Sequence, residues 1–200
     1  MKLYLALVFF SCAGHMLVES ALHKLSWSTC GSNSPIIVHS LDVSPMPITL
    51  PGHLTLTLNS TLTRQITNST LRLKVKRHTF LMDFTIPCLL NMGSCTYDSV
   101  CTMADSMIAH NWAGNMAGVG TQIKTMLTET GVAAPNCVIG PRNVVINRYQ
   151  LTLPGVSSLL SLVSTGDYSI GVHVTEHSTG QEIFCANLEI SLAKCHSGSC

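Results

Sequence analysis

Ile86-Pro87-Cys88-Leu89-Leu90-Asn91-Met92-Gly93-Ser94-Cys95-Thr96-Tyr97-Asp98-Ser99-Val100-Cys101 is the stretch on which the reading of this chain turns. It holds three cysteines. Before it the sequence alternates with the period of a β-strand; after it the apolar residues take helical spacing. It reads as a cross-linked corner between a sheet and a helical flap. The functional question is then what the flap covers.

Upstream of the corner, Leu71, Leu73 and Val75 alternate with Arg72, Lys74 and Lys76. Leu54, Leu56, Leu58 and Leu62 keep one parity, with Thr55, Thr57 and Asn59 on the other. Period two with a single apolar face predicts a sheet that packs on one side and is wet on the other. Phe80, Met82, Phe84 and Ile86 also share one parity, with Asp83 opposite, and predict a more apolar strand. Further upstream, Leu25–Cys30 and Ile36–Val43 are strand candidates. Pro45, Pro47 and Pro51-Gly52 mark an edge or a turn, because proline cannot donate to a central ladder.

Downstream, Val100, Met103, Ala104, Met107 and Ile108 follow helical spacing, as do Met116, Val119, Ile123, Met126 and Leu127. Ser94 or Thr96 is the expected cap and Gly131 the expected stop, giving a flap over about 96–131. Two readings of the methionine stripes stand: core packing, or an adaptable apolar surface for lipid. Val144–Leu153, Asp167–His177 and a last strand through Phe184, Ala186, Leu188, Ile190 and Leu192 return to β patterning. Between them, Pro154 to Gly166 has no period yet carries five large apolar side chains. Such a loop marks contact with a ligand, a partner or a membrane, or else folds as a short buried helix.

The 200 residues suit one domain. Lys2 followed by the apolar run Leu3–Phe10 reads as a secretory signal over about 1–20, too short to span a bilayer. A single domain over 21–194 and a tail over 195–200 follow. Removing the signal takes Cys12 and leaves Cys30, Cys88, Cys95, Cys101, Cys137, Cys185, Cys195 and Cys200, an even set that implies disulfides in a secreted chain. Their pairing is open on composition alone. Zinc is disfavoured, since no Cys-x-x-Cys pair exists. Asn59-Ser60-Thr61 and Asn68-Ser69-Thr70 are glycosylation sequons, so Asn59 and Asn68 are the expected glycan sites.

Only 10% of residues are charged, against about 25% in ordinary domains. The net charge of +1 argues against a nucleic-acid partner. Nine histidines, one of them in the signal, would make the chain clearly cationic in an acidic compartment, since histidine titrates near about pH 6.5. The sequence carries no Gly-x-Ser-x-Gly elbow, phosphate-binding loop or His-Glu-x-x-His, and no cofactor motif. A non-enzyme is expected.

Several of these segments together resemble a known family. Trp27-Ser28-Thr29-Cys30, Ser44-Pro45-Met46-Pro47-Ile48-Thr49-Leu50-Pro51-Gly52, Ile86-Pro87-Cys88 with Gly93-Ser94-Cys95 and Cys101, Thr165-Gly166-Asp167-Tyr168, and Cys185 in the last strand resemble the ganglioside activators, lysosomal lipid-binding cofactors of β-hexosaminidase A. The likeness covers nearly the whole mature chain. It implies an antiparallel two-sheet β-cup of the ML lipid-recognition class, an immunoglobulin-like sandwich with an apolar cavity and a short helical flap. It also implies the bridges Cys30–Cys185, Cys88–Cys95 and Cys101–Cys137, with Cys195 and Cys200 as an extra pair. A longer flap and His53 in place of a sequon set this chain apart, as do Leu162 and Asp83 near positions where the family carries tryptophan.

The implied function is to bind a glycosphingolipid, lift it from a membrane and present it to a lysosomal hydrolase such as β-hexosaminidase. The alternative is a secreted carrier or signalling protein for fatty acid, sterol or phospholipid. Physical chemistry supports a cavity: each methylene taken out of a bilayer needs about 0.8 kcal/mol of compensation, which a flat patch cannot supply. Phe80, Met82, Phe84, Leu159, Leu160, Leu162, Val163, Ile170 and Val172 are the expected cavity or rim residues. Expected partners are a lipid and, under acidic conditions, an anionic membrane surface. The expected location is secreted or lysosomal.

Overall fold

The computed structural model describes residues 22–132, 138–155 and 164–195. In chain order the elements are β1 (Ser26–Thr29), β2 (Ile36–Ser44), β3 (Ile48–Leu50), β4 (Gly52–Leu62), β5 (Ser69–Arg77), β6 (Phe84–Thr85), β7 (Thr96–Tyr97), α1 (Met103–His110), a 3-10 turn (Trp112–Gly114), α2 (Ala117–Glu129), β8 (Arg142–Leu153), β9 (Gly166–Glu176) and β10 (Glu182–Lys194). They form two sheets that do not close on each other. The larger runs β1-β10-β9-β5-β6, with β7 also on β5; the smaller runs β2-β4-β8. Pairing is antiparallel except for β3, which lies parallel to β10 as a short edge piece between prolines. The expected two-sheet antiparallel fold is the observed one.

Alternation sets which side chains share a face. Leu71, Leu73 and Val75 of β5 lie beside Val174, Val172 and Ile170 of β9, which lie beside Phe184, Ala186 and Leu188 of β10. That is the inward face. The opposite parity carries Arg72, Lys74, Lys76, Ser169, His173, Asn187 and Glu189. In the smaller sheet Leu54, Leu56 and Leu58 face Leu151, Tyr149 and Ile146 across the β4–β8 pair. A bulge between Leu56 and Leu58, where Arg148 takes φ 50°, keeps both Tyr149 and Ile146 inward.

Without sharing a strand pair, the sheets pack together where Leu62, Ile66 and Ile183 form a core flanked by Ile36, Ile139 and Val174. Between Leu62 and Ile66 in the chain, Arg64 grips the buried Glu176 carboxylate through both nitrogens, at 3.1 and 3.2 Å, and Thr67 and Thr179 add hydrogen bonds. Those Arg64 bonds hold the Glu176 carboxyl below its ordinary range, against the opposing effect of burial.

The quoted stretch lies along the free edge of β5. Ile86 donates to the Val75 carbonyl, the Val75 amide donates to Ser94 Oγ, and the Leu73 amide donates to the Cys95 carbonyl. Cys88 and Cys95 are bonded, closing a loop whose tip, Leu90-Asn91, takes φ 51° and 63° between the mutually bonded Leu89 and Met92. Cys30 is bonded to Cys185, tying β1 to β10. Cys101 and Cys195 are disulfide-bonded as well. Their implied partners Cys137 and Cys200 lie outside the described residues, as does the expected signal.

Two expectations about element boundaries are corrected. The flap does not begin as helix at Thr96: Thr96–Tyr97 is strand β7, pairing with Leu71 and Arg72, and helix starts at Met103. A ladder partner was available, and main-chain bonds to β5 outweigh local helical spacing. Likewise Phe80–Ile86 is not one strand. The chain turns over at Thr79–Met82, where Thr79 Oγ1 donates to the Met82 carbonyl, and only Phe84–Thr85 pairs back onto Arg77 and Lys76.

The flap itself is a helical hairpin. Asn111, left-handed at φ 40°, ends α1; its Oδ1 accepts from the Ala117 amide and so caps α2. Gly120 allows the close crossing, since a Cβ there would stand 3.0 Å from the Ala104 carbonyl oxygen and from Met107 Cβ. Met107, Trp112 and Val119 form its core, joined by Met103, Met116 and Met92. For these methionines, core packing is the arrangement adopted. The flap also shields the end of β8: Gln122 of α2 accepts from the Thr152 amide and donates to its carbonyl.

Candidate functional site

The inward face of the larger sheet is not fully covered. Between it and the quoted stretch lies an apolar cavity of about 290 Å³. Leu73 and Val75 of β5, Ile170 of β9, and Ile190 and Leu192 of β10 form its sheet wall, with Leu50 of β3 at the edge. Ile86, Leu89, Met92 and Tyr97, from the stretch along the β5 edge, also line it. Strand alternation explains the apolar wall. The Cys88–Cys95 disulfide closes the loop that carries Leu89 and Met92 into the lining.

The flap reaches this wall through Met92, which packs in the flap's core, and through an aromatic pair. Tyr97 stacks on Trp112 with ring centroids 5.0 Å apart and planes 10° from parallel. The Tyr97 hydroxyl donates to the Asn91 carbonyl at 2.9 Å, and burial raises its pKa. Tyr168, also lining the cavity, is buried and donates to the Thr165 carbonyl at 3.3 Å. Burial raises its pKa and the Arg77 charge opposes that. Arg77 donates to the same Thr165 carbonyl at 3.1 Å and sits 5.9 Å over the Phe84 ring. It thus anchors the base of the 154–166 segment to the β5–β6 hairpin.

Ile170 lines the cavity. Val172 shares its face, beside Leu73, but stands outside the lining. Phe80, Met82 and Phe84 do not line it either; they stand on the β5–β6 hairpin with Leu81 between. Phe80 is 81% exposed, Leu81 85% and Met82 67%. Leu89 and Leu90, at the nearby disulfide loop, are also exposed. Leu159, Leu160, Leu162 and Val163 lie outside the described residues. Asn59 is exposed on β4 and Asn68 is half-buried just before β5. Ile190, Leu192, Leu73 and Val75 were visible in the alternation; Leu50, Tyr97 and Arg77 carried no sequence signal for this role.

Chemically, the cavity wall is mostly aliphatic, with the Tyr97 and Tyr168 rings and Ser164, and carries no charged side chain. The described residues hold one grouping of metal-ligand type, His173, Glu182 and Cys185. Cys185 is spent in the Cys30 disulfide and His173 Nδ1 is paired with Glu182 at 2.7 Å, so this grouping is structural.

The chain is similar to two curated proteins, each named Ganglioside GM2 activator. The one from Mus musculus is 26% identical over 175 residues, covering 86% of this chain and 84% of that protein. The one from Macaca fascicularis is 29% identical over 174 residues, with the same coverage of each. The resemblance read from the cysteine and loop motifs is borne out by these relatives, which are named as an activator and not as an enzyme. No family model matches. Among solved structures, a Niemann-Pick type C2 protein from Japanese carpenter ant gives a TM-score of 0.42 at 11% identity, covering 84% of this chain and 99% of that one. Chicken MD-1 complexed with lipid IVa gives 0.38 at 9% identity, covering 86% and 93%. Likenesses this low say nothing about function.

Proposed function

We propose that this chain is a non-catalytic lipid-binding protein, secreted or lysosomal, that takes a glycosphingolipid partly out of a membrane and offers its headgroup to a soluble hydrolase. The observation that carries the proposal is the uncharged cavity of about 290 Å³ on the inward face of the larger sheet. A void walled by Leu73, Val75, Ile170, Ile190 and Leu192 has no use for a polar ligand, and it replaces water around an acyl chain. Relatives named Ganglioside GM2 activator support a glycolipid as the cargo and a glycosidase, β-hexosaminidase in the first instance, as the recipient.

The β5–β6 hairpin is the membrane-contacting rim. Three consecutive large apolar side chains at a turn have no folding role when they stand in water, and a bilayer interface covers them. Leu159, Leu160, Leu162 and Val163, in the apolar segment anchored through Thr165, are proposed as the second rim element. The disulfides, including Cys101–Cys137 and Cys195–Cys200, hold the rim while the cavity empties and refills.

A second reading has one observation in its favour. The cavity is at the lower end of small-molecule sites, about 300–1000 Å³, so a single acyl chain suits it better than the two of a ceramide. A carrier of fatty acid, or of another lipid held by one chain, is the alternative. Native mass spectrometry of the secreted glycoprotein, followed by organic extraction, tests both. A stoichiometric glycolipid supports the activator; a stoichiometric fatty acid supports the carrier. A protein that carries nothing and takes up no lipid from vesicles refutes both.

A further inference from the structure

The sequon Asn59-Ser60-Thr61 lies on β4, the central strand of the smaller sheet. Leu54, Leu56 and Leu58 of this strand face inward, so Thr57, Asn59 and Thr61 stand on the outward side. Register sets Asn59 between Ser40 of β2 and Val145 of β8. One pleat further along, Thr61 stands between Ile37 and Asn143.

This outward face is polar and short-chained apart from two positions. Val145 is 58% exposed and Ile37 45%, and no other large apolar side chain of the smaller sheet is exposed among the described residues. Both neighbour the sequon, Val145 directly across the ladder from Asn59 and Ile37 on the diagonal. The sequon hydroxyl is tied across the three strands: Thr61 Oγ1 donates to Asn143 Oδ1 at 2.9 Å and lies 2.8 Å from His39 Nε2. Asn59 takes no part in that chain of bonds. Its side chain is exposed and enters no hydrogen bond among the described residues, so Nδ2 is open to a sugar. Asn68 differs: it is half-buried, and its carbonyl accepts from the His177 amide.

We propose that the first N-acetylglucosamine of a glycan on Asn59 lies flat over Val145, as a built part of the smaller sheet's outward face. The inference is independent of what the cavity holds; it rests on the Asn59 sequon being used. Directly opposite residues of an antiparallel pair have their Cβ atoms about 4.5–5.5 Å apart, which a pyranose joined to Asn59 Nδ2 spans. Such a ring has a C–H face and a rim of hydroxyls. The C–H face replaces water on the Val145 methyls, while the rim meets the Ser40 hydroxyl and the Asn143 amide. Ser40 and Thr57 are small enough to leave the ring room. A second copy of this chain is the competing occupant. Two apolar side chains set among threonines fall far short of the roughly 800 Å² that each partner of a stable interface buries, and a glycan rooted at the centre of the face would hold a second copy off.

The secreted full chain, produced with high-mannose glycans, tests this. Peptide mass spectrometry should find Asn59 occupied. Asn59→Gln should lower the melting temperature by about 2–4 °C. Endoglycosidase H, which leaves one sugar on the asparagine, should preserve the parent's value. Val145→Thr keeps the β-branched shape and the strand preference. It should cost a comparable shift in the glycosylated protein and much less in the Asn59→Gln protein, a non-additivity that reports direct contact. A bare Asn59, an additive pair, or a trimmed protein that melts as low as Asn59→Gln overturns the inference. So does a dimer in light scattering that Val145→Thr dissociates, in favour of a second copy.

Discussion

Replacing the hairpin tip by Phe80→Ser, Leu81→Ser and Met82→Ser together separates what the fold needs from what the function needs. At 81%, 85% and 67% exposure these side chains give little to the folded state. Exposed substitutions of this kind usually stay within about 0.5 kcal/mol each, so the melting temperature of the triple variant should move by no more than about 6 °C. Their value to a membrane is larger. Fully burying a side chain of this size contributes about 1.5–3 kcal/mol. Taking the lower figure and the fraction each still exposes, the tip offers roughly 3–4 kcal/mol to a bilayer, or about two to three powers of ten in partitioning. Flotation with phosphatidylcholine vesicles measures the partitioning and differential scanning calorimetry measures the stability. Unchanged flotation would refute the rim assignment. A fall of many degrees in melting temperature would refute it differently, by showing that the tip packs on the protein.

Other outcomes follow from the same structure. Ile170→Trp should fill the cavity and abolish stoichiometric lipid uptake, at an overpacking cost of about 1–3 kcal/mol; extraction and mass spectrometry of the purified variant check it. Removing the Cys30–Cys185 bridge, which spans 155 residues, should cost about 2–3 kcal/mol more than removing Cys88–Cys95, which spans 7, on the chain-entropy account. Urea unfolding of the two double-serine variants compares them directly. For Glu176, the folded pKa lies below the ordinary 4.5 because of Arg64. Its contribution is therefore present above the unfolded value and is lost as pH falls through the folded one. The clamp is intact at pH ~5, and Arg64→Met should shift acid unfolding to higher pH in a circular-dichroism titration. Asn59→Gln and Asn68→Gln should each remove one glycan's mass from the secreted protein.

Period-two patterning is a local property, and it was legible wherever a strand has one dry face. Leu71, Leu73 and Val75, or Ile170 and Val172, appear on the inward face because a pleated chain has no other way to segregate them. The same pattern misled at Phe80, Met82 and Phe84. Parity says which residues share a side, not whether the chain continues or turns back, and there it turns at Thr79–Met82. Helical spacing misled at Thr96 for the related reason that a vacant ladder edge on β5 lies 24 residues away in sequence, invisible to any local window.

Composition and spacing by themselves determined a mainly β chain with a helical insert, an even set of cysteines beyond the signal and few charged residues. Tertiary structure decided what the inward face encloses. Leu50 comes from β3 and Ile86, Leu89, Met92 and Tyr97 from the stretch along the β5 edge, and only the tertiary fold brings both to one cavity with Ile170, Ile190 and Leu192. The outward face of the smaller sheet has the same origin. Ser40, Asn59 and Val145 come from three strands and meet because hydrogen-bond register aligns them. Register is a global quantity, set by which strands pair and where bulges fall, and no single strand's sequence contains it.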